Sequence, residues 1–365
     1  MKLKNLMSLF ILGTLTVSCI QDEALNAEAA IDSCKGSEDV VMTDINTEAK
    51  KINVYVYKTA DLTKQEIEFI LPQGATIQPP SGENDFTTPK KYTVTSEDGK
   101  WKATYTIEYI KTELPTFYHF ETLLESSANK YNIFYELQES SSTEARIMQW
   151  ASGNIGYDLT GMANVATDYP TVQVANGKIG KCLKLETRDT GSFGAGVNMP
   201  IAAGNLFIGT FDVSNALKDA LKSTRFGLPF YQEPKTLKGY YKYKAGSVFT
   251  IDGVPVNDRK DQFDIYGIFY EADNKDDMLD GYDALKSSKL ISVARIQNPR
   301  ETDEWTEFVL PFEPKPGKSI DPAKLQAGKY KLAIVFSSSI EGDRFRGAVG
   351  STLYIDEVEL ICNAN

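Results

Sequence analysis

An all-β chain folded into two bodies is what this sequence predicts, on three observations. Apolar and polar residues alternate along many short segments, and helical spacing is confined to two or three stretches. At 365 residues the chain exceeds one sandwich and suits two domains of roughly 100–200 residues each. The composition also bounds the function. Acidic residues outnumber basic ones, 50 to 39, for a net charge of -11, which argues against a nucleic-acid partner because phosphates need a basic footprint. A single histidine, His119, excludes an H-E-x-x-H zinc site and any histidine-rich metal cluster.

Residues 1–18 read as an export signal: Lys2 and Lys4 give a positive start, and the apolar run at 6–17 is too short to span a bilayer. The step from Ser18 into Cys19 resembles a bacterial lipobox, with Thr16 where that pattern usually has leucine, and implies lipidation at Cys19. Gln21, Asp22 and Glu23 resemble the acidic signal that sends Bacteroidetes lipoproteins to the outer cell surface. The expectation is therefore an exported, outer-membrane lipoprotein facing outward, with a plain cleaved secretion signal as the alternative. Residues 19–39 read as a tether.

A first body is expected at 40–113. Ile52, Val54 and Val56 alternate with Asn53, Tyr55 and Tyr57, and in the segment 101–109 Trp101, Ala103, Tyr105, Ile107 and Tyr109 share one face. Asp98-Gly99 supplies the turn of a hairpin, and the segment holding Pro79, Pro80 and Pro89 is loop. Short strands of this kind make an Ig-like sandwich, with Trp101 expected in its core. Leu114-Pro115 marks the boundary, since proline disfavours helix in the residue before it.

The second body, 116–365, shows strand patterns at 206–211, 238–244, 263–271, 307–312, 329–339 and 351–360. Helical candidates are 213–223, behind an Asp212 or Ser214 cap, and about 276–287, where the aspartates read as a solvated helix start. The Gly-rich 191–196 reads as a flexible loop. So many strands with so little helix in one large domain predict a β jelly-roll sandwich. Past Cys19 the cysteines are Cys34, Cys182 and Cys362. The apolar faces of their strands set Cys182 and Cys362 in different directions, so free thiols are expected.

From residue 150 a recognisable series begins: Trp150-Ala-Ser-Gly-Asn154, AGNLF at 203–207, LKGYYKYK at 237–244, DIYGIFYE at 264–271, WTEF at 305–308 and the long run at 334–360. It resembles the putative carbohydrate metabolism domain (PCMD) family of Bacteroidetes lipoproteins over about 116–362. The resemblance implies a jelly roll on a surface lipoprotein linked to glycan use, akin to carbohydrate-binding modules and jelly-roll glycosidases.

Strand alternation then proposes a ligand face. Burying Phe263, Ile265 and Phe269 turns Asp264, Tyr266 and Tyr270 outward, and burying Leu332, Ile334 and Phe336 turns Ser337 and Ser339 outward. Tyrosine and aspartate beside serine suit a sugar, whose C–H faces stack on rings while its hydroxyls need orienting polar groups. Two solvated outer faces fit the same pattern. Trp150 with Asn154 reads either as a loop-borne stacking wall or as a core plug. Tyr241 lies on one face of its strand with Tyr243, the outward face being undecided. Asp343 and Arg344 could grip adjacent hydroxyls or form a loop ion pair.

A glycosidase needs two carboxyl groups on one site. Asp264 and Glu271 of one strand face opposite sides, so a cross-strand pair such as Asp264 with Asp343 or Glu186 is the better candidate. Glu121 and Asp356, near the first and last strands of the jelly roll, resemble the carboxylates that share a structural calcium in carbohydrate-binding jelly rolls. Three readings follow. The first is a surface-anchored, carbohydrate-binding lipoprotein whose partners are a glycan, the outer membrane through its lipid and other glycan-utilisation surface proteins. The second is a glycoside hydrolase, and the third a surface adhesin or structural protein.

Overall fold

The computed structural model describes residues 25–47, 49–82, 84–124, 130–137, 146–274 and 276–363. The export segment and Cys19 lie outside the described residues. Strands dominate, and among the described residues the longest helix is the six-residue Gly191–Gly196. None is long and apolar enough to cross a membrane.

In the first body the sheet order is Val40–Asn46, Lys51–Tyr57, Lys102–Thr112, Lys90–Thr95 and Thr76–Gln78. Lys51–Tyr57 and Lys102–Thr112 run parallel. A second small sheet pairs Ser33–Gly36 with Ile67–Ile70. The core between them holds Ile52, Val54, Val56, Tyr105 and Ile107, as the alternation requires. Ile31 is buried there too, so the body begins inside the stretch expected as tether. Trp101 departs from expectation: it precedes its strand at the hairpin turn and is 61% exposed. Its backbone, bonded to Ser96, closes the turn and leaves the ring outside.

The second body is a sandwich of two six-stranded sheets, the jelly roll the sequence predicts. One sheet runs Thr171–Ala175, Lys181–Glu186, Thr352–Cys362, Pro234–Lys244, Thr302–Pro311, with Phe117–Tyr118 on Thr352–Cys362. The other runs Asn205–Phe207, Tyr330–Ser337, Asp264–Glu271, Leu290–Arg295, Glu313–Pro314, with Leu228–Pro229 on Tyr330–Ser337. Between them pack Leu183, Leu185, Tyr241, Tyr243, Leu353 and Ile355 from the first, against Phe263, Ile265, Phe269, Leu332, Ile334 and Phe336 from the second. Each large apolar side chain so buried contributes about 1.5–3 kcal/mol. Gly267 makes room in this layer, since a Cβ there would stand 2.6 Å from the Phe312 ring.

The second sheet also has a covered outer face. Tyr266, Ile268, Tyr270, Ala333 and Val335 do turn away from the central core, but they are buried again, against Phe226, Leu279 and Ala284. Segments 209–226 and 279–284 form this roof, and the Tyr270 hydroxyl donates to the Phe226 carbonyl at 2.6 Å. Neither expected helix forms as one piece. Residues 213–223 split into Val213–Asn215 and Ala220–Ser223. At 276–287 the described residues form turns and the short strand Leu279–Asp280, because Asp280 and Asp283 side chains accept nearby backbone N–H groups and compete with helix. Conversely 191–196, expected as loop, is helical. Cys34, Cys182 and Cys362 are free.

Candidate functional site

Where the roof meets the sheet it leaves a cavity of about 550 Å³. Its floor is the outward row of two neighbouring strands, Asp264 and Tyr266 on one, Val335 and Ser337 on the other, in register as Asp264 opposite Ser337 and Tyr266 opposite Val335. Its walls come from connections: Phe193 on the Gly191–Gly196 helix, Phe211 at the end of a short strand, and Phe345 after the turn Gly342–Arg344. That turn sits tightly on the fold, since a Cβ on Gly342 would meet Ala203 Cβ at 2.3 Å. Phe345 closes it with φ of 56°, a left-handed conformation uncommon for a bulky residue.

Arg295 clamps Asp264. Its Nε lies 3.1 Å from both carboxylate oxygens and its Nη2 2.7 Å from Oδ2. Burial pushes the Asp264 carboxyl above its ordinary range while the guanidinium opposes the rise, and the charge of Asp343 adds to it. Asp343 is likewise pushed up by burial, with Arg344 opposing. Arg344 itself has no hydrogen-bonded side-chain partner among the described residues. Glu341, which also lines the cavity, pairs with Arg259 and, at 3.7 Å, with Arg346. The cavity therefore joins aromatic walls to three carboxylates, Asp264, Glu341 and Asp343, and to the Arg344 guanidinium, which no hydrogen-bonded side chain holds among the described residues.

Of the residues named from the sequence, Asp264, Tyr266, Ser337, Ser339, Asp343 and Arg344 all line this one cavity. Ser339 spends its hydroxyl behind the wall, donating to Asp261 Oδ2 at 2.6 Å. Asn154 is fully buried: its amide donates to the Thr171 carbonyl at 2.7 Å and its oxygen accepts the Thr171 N–H at 3.0 Å, a clamp that fixes the loop beside the cavity. Trp150 is the core plug. It is 3% exposed, its ring 5.2 Å from Tyr118 and 5.7 Å from Phe120, with its indole N–H donated to Glu136. Tyr241 is in the same core, 4.9 Å from Phe263. Glu271 lies at the far end of its strand, paired with Lys324. Phe193, Phe211, Phe345 and Arg295 were missed. Arg295 alone had a sequence signal, the alternation of LISVAR.

Glu121 and Asp356 do flank a single turn, 176–180. Glu121 Oε1 accepts the Lys181 N–H at 2.8 Å, Asp356 Oδ2 the Ile179 N–H at 3.0 Å and Asp356 Oδ1 the Glu357 N–H at 2.9 Å. Calcium takes about six to eight oxygens. The backbone N–H groups that converge on these carboxylates would compete with a cation for the same oxygens.

The fold and cleft define a class: a two-domain, all-β protein with a small sandwich in front of a jelly roll whose outer face is roofed into a pocket. The chain belongs to the putative carbohydrate metabolism domain family, whose model matches residues 119–361. Residues 31–108 match the SGBP N-terminal model, so both bodies fall in carbohydrate-related families. A solved structure from Bacteroides thetaiotaomicron, described as a putative glycoside hydrolase, is 52% identical, with 94% of this chain and 100% of that chain covered and a TM-score of 0.81. Another from Bacteroides vulgatus, described in the same words, is 46% identical, with 69% and 100% covered and a TM-score of 0.64. No curated protein matches.

Proposed function

We propose that this chain is a cell-surface carbohydrate-binding protein that holds a glycan in the roofed cleft, tethered to the outer membrane through a lipid on Cys19. The observation that carries the reading is the joining, in one cavity of about 550 Å³, of aromatic walls with the Asp343 carboxylate and the neighbouring Arg344 guanidinium, which no side chain among the described residues holds by a hydrogen bond. Rings stack on the C–H faces of a sugar, and the charged pair orients its hydroxyls through strong hydrogen bonds. The first body, which matches the SGBP N-terminal model, would hold the jelly roll off the membrane in this reading. The test is affinity-gel retention and calorimetry on starch, β-glucan, xylan, pectin and mucin glycans. Phe193→Ala with Arg344→Ala is expected to weaken the retained glycan at least tenfold, about 1.4 kcal/mol. Unchanged affinity in that double variant overturns the site.

A second reading, glycoside hydrolysis, is favoured by one observation: Asp264 and Asp343 share the cavity in different surroundings. Burial lifts both carboxyls, and the partners differ: Asp343, without a guanidinium clamp, suits the proton donor to the leaving oxygen, and Asp264, hydrogen-bonded to Arg295 through both oxygens, suits the opposing base or nucleophile. Release of reducing ends that disappears in Asp343→Asn, while glycan binding persists, would replace the first reading by the second.

A further inference from the structure

The covered face does not end at Arg295. A second cavity, of about 610 Å³, opens beside it at the Glu313–Pro314 edge of the same sheet, where Val309, Leu310 and Pro311 of the facing sheet complete the wall, and Arg295 and Leu285 line both cavities. The strand register explains the continuity. Phe207 stands opposite Val335, Val335 opposite Tyr266 and Tyr266 opposite Arg295, so one row of side chains crosses four strands from the roofed cavity to its neighbour. Three inter-strand steps span about 14 Å. In the next row Ile268 stands opposite Val293, and Val293 opposite Glu313, which carries the floor on to the sheet edge.

We propose, resting on the glycan-binding reading above, that the two cavities are successive subsites of one groove for a linear oligosaccharide lying across the strands. The ligand's first units sit among the rings of the roofed cavity. The following units sit in the second, where Gln297, Asn298, Glu313 and Lys315 offer amide, carboxylate and ammonium groups to hydroxyls. Arg295 is the junction. Its Nε and Nη2 are taken by Asp264, while its Nη1 has no protein partner among the described residues and is free to donate to the sugar that crosses the boundary. A repeating ligand presents similar hydroxyls at each step, which suits a groove with polar groups at both ends and one charged post between them. Both volumes fall within the ~300–1,000 Å³ of ordinary ligand pockets, so the pair exceeds the needs of one sugar ring.

The experiment is calorimetric titration of the full chain with size-fractionated oligosaccharides, two to about eight units long, cut from starch, β-glucan, xylan, pectin and mucin glycans. Affinity for the ligand that binds is expected to rise at least tenfold from disaccharide to hexasaccharide. Gln297 and Asn298 are exposed, and the one bond lost is the exposed 3.2 Å donation from the Gln297 amide to the Arg295 carbonyl, so Gln297→Ala with Asn298→Ala leaves the fold intact, as an unchanged melting curve checks. That double variant is expected to abolish the gain with length and keep the disaccharide affinity within twofold. Disaccharide binding with no gain from length, or a gain that survives the double variant, overturns the groove and leaves the first site standing. Absence of binding at every length and composition overturns both.

Discussion

The two sheets of the jelly roll follow the same alternation, yet their outer faces have different fates. On the Asp264–Glu271 sheet, connections fold back over the outward side chains, bury Tyr266 and Tyr270, and leave a cavity with the buried Asp264 carboxylate on its floor. On the other sheet the outward Tyr240, Lys242, Trp305 and Tyr354 stay only half-buried. There Lys242 Nζ lies 4.7 Å above the Trp305 ring and Lys178 Nζ 4.7 Å from that of Tyr240, while Lys238 pairs with Glu359. Charges on the bare face are answered by neighbours in water. Those under the roof must be answered by protein, as Asp264 is by Arg295, or by a ligand. Strands supply a flat rigid floor here, and the connections decide which floor becomes a site.

The sharpest way to break the comparison is Arg295→Ala. It strands the Asp264 carboxylate, whose side chain is 6% exposed, while Arg295 itself is 34% exposed. A buried pair that loses one partner costs about 3–5 kcal/mol, and the partial exposure of Arg295 reduces this to about 2–4 kcal/mol. Urea denaturation measures it. Adding Asp264→Leu is expected to recover most of the loss, because the orphaned charge goes with it. A loss below about 0.5 kcal/mol would make this pair equivalent to an exposed one such as Lys260 with Glu301, and the roof would have no electrostatic consequence.

Much of the floor was legible in the sequence. Alternation in 263–271 and 329–339 set Asp264, Tyr266 and Ser337 on one side, since a strand has only two faces and the Phe and Ile residues claim one of them. The walls were not legible. Phe193 stands in the Gly-rich run Gly191–Gly196, whose composition favours loop over helix, so nothing local to the sequence places its ring on a wall. Tyr241 was unreadable for the opposite reason: both faces of KGYYKYK carry tyrosine, and the phase is set by Leu237 packing inward. Trp150 sits between the strand Arg146–Gln149 and a polar turn. Its three aromatic neighbours, Tyr118, Phe120 and Phe336, come from distant segments.

A smaller effect is expected from Asp356, the buried carboxylate of the other sheet, which a turn covers and backbone N–H groups satisfy. Burial lifts its carboxyl to about 6, above the ~3.9 of an exposed aspartate. The folded chain therefore holds this proton more tightly than the unfolded one. The stability it contributes is complete below about pH 4 and is lost as pH rises through about 6. Asp356→Asn is expected to flatten the melting temperature over that window, and an unaltered profile would mean that the turn leaves the group in water. Dialysis against EDTA is expected to leave the wild-type melting temperature unchanged, because N–H donors already occupy these oxygens.

The smallest expected effect tests the bare face directly. Trp305→Ala removes a ring that stacks under one ammonium and lies outside the roofed cavity, so stability is expected to fall by about 0.5–1 kcal/mol. Glycan affinity is expected to stay within twofold in the same titrations that show the loss in Phe193→Ala with Arg344→Ala. A tenfold loss of affinity in Trp305→Ala would reverse the argument. The flat face of rings and lysines would then be the platform, and the roof over Tyr266 and Tyr270 would be an extension of the hydrophobic core.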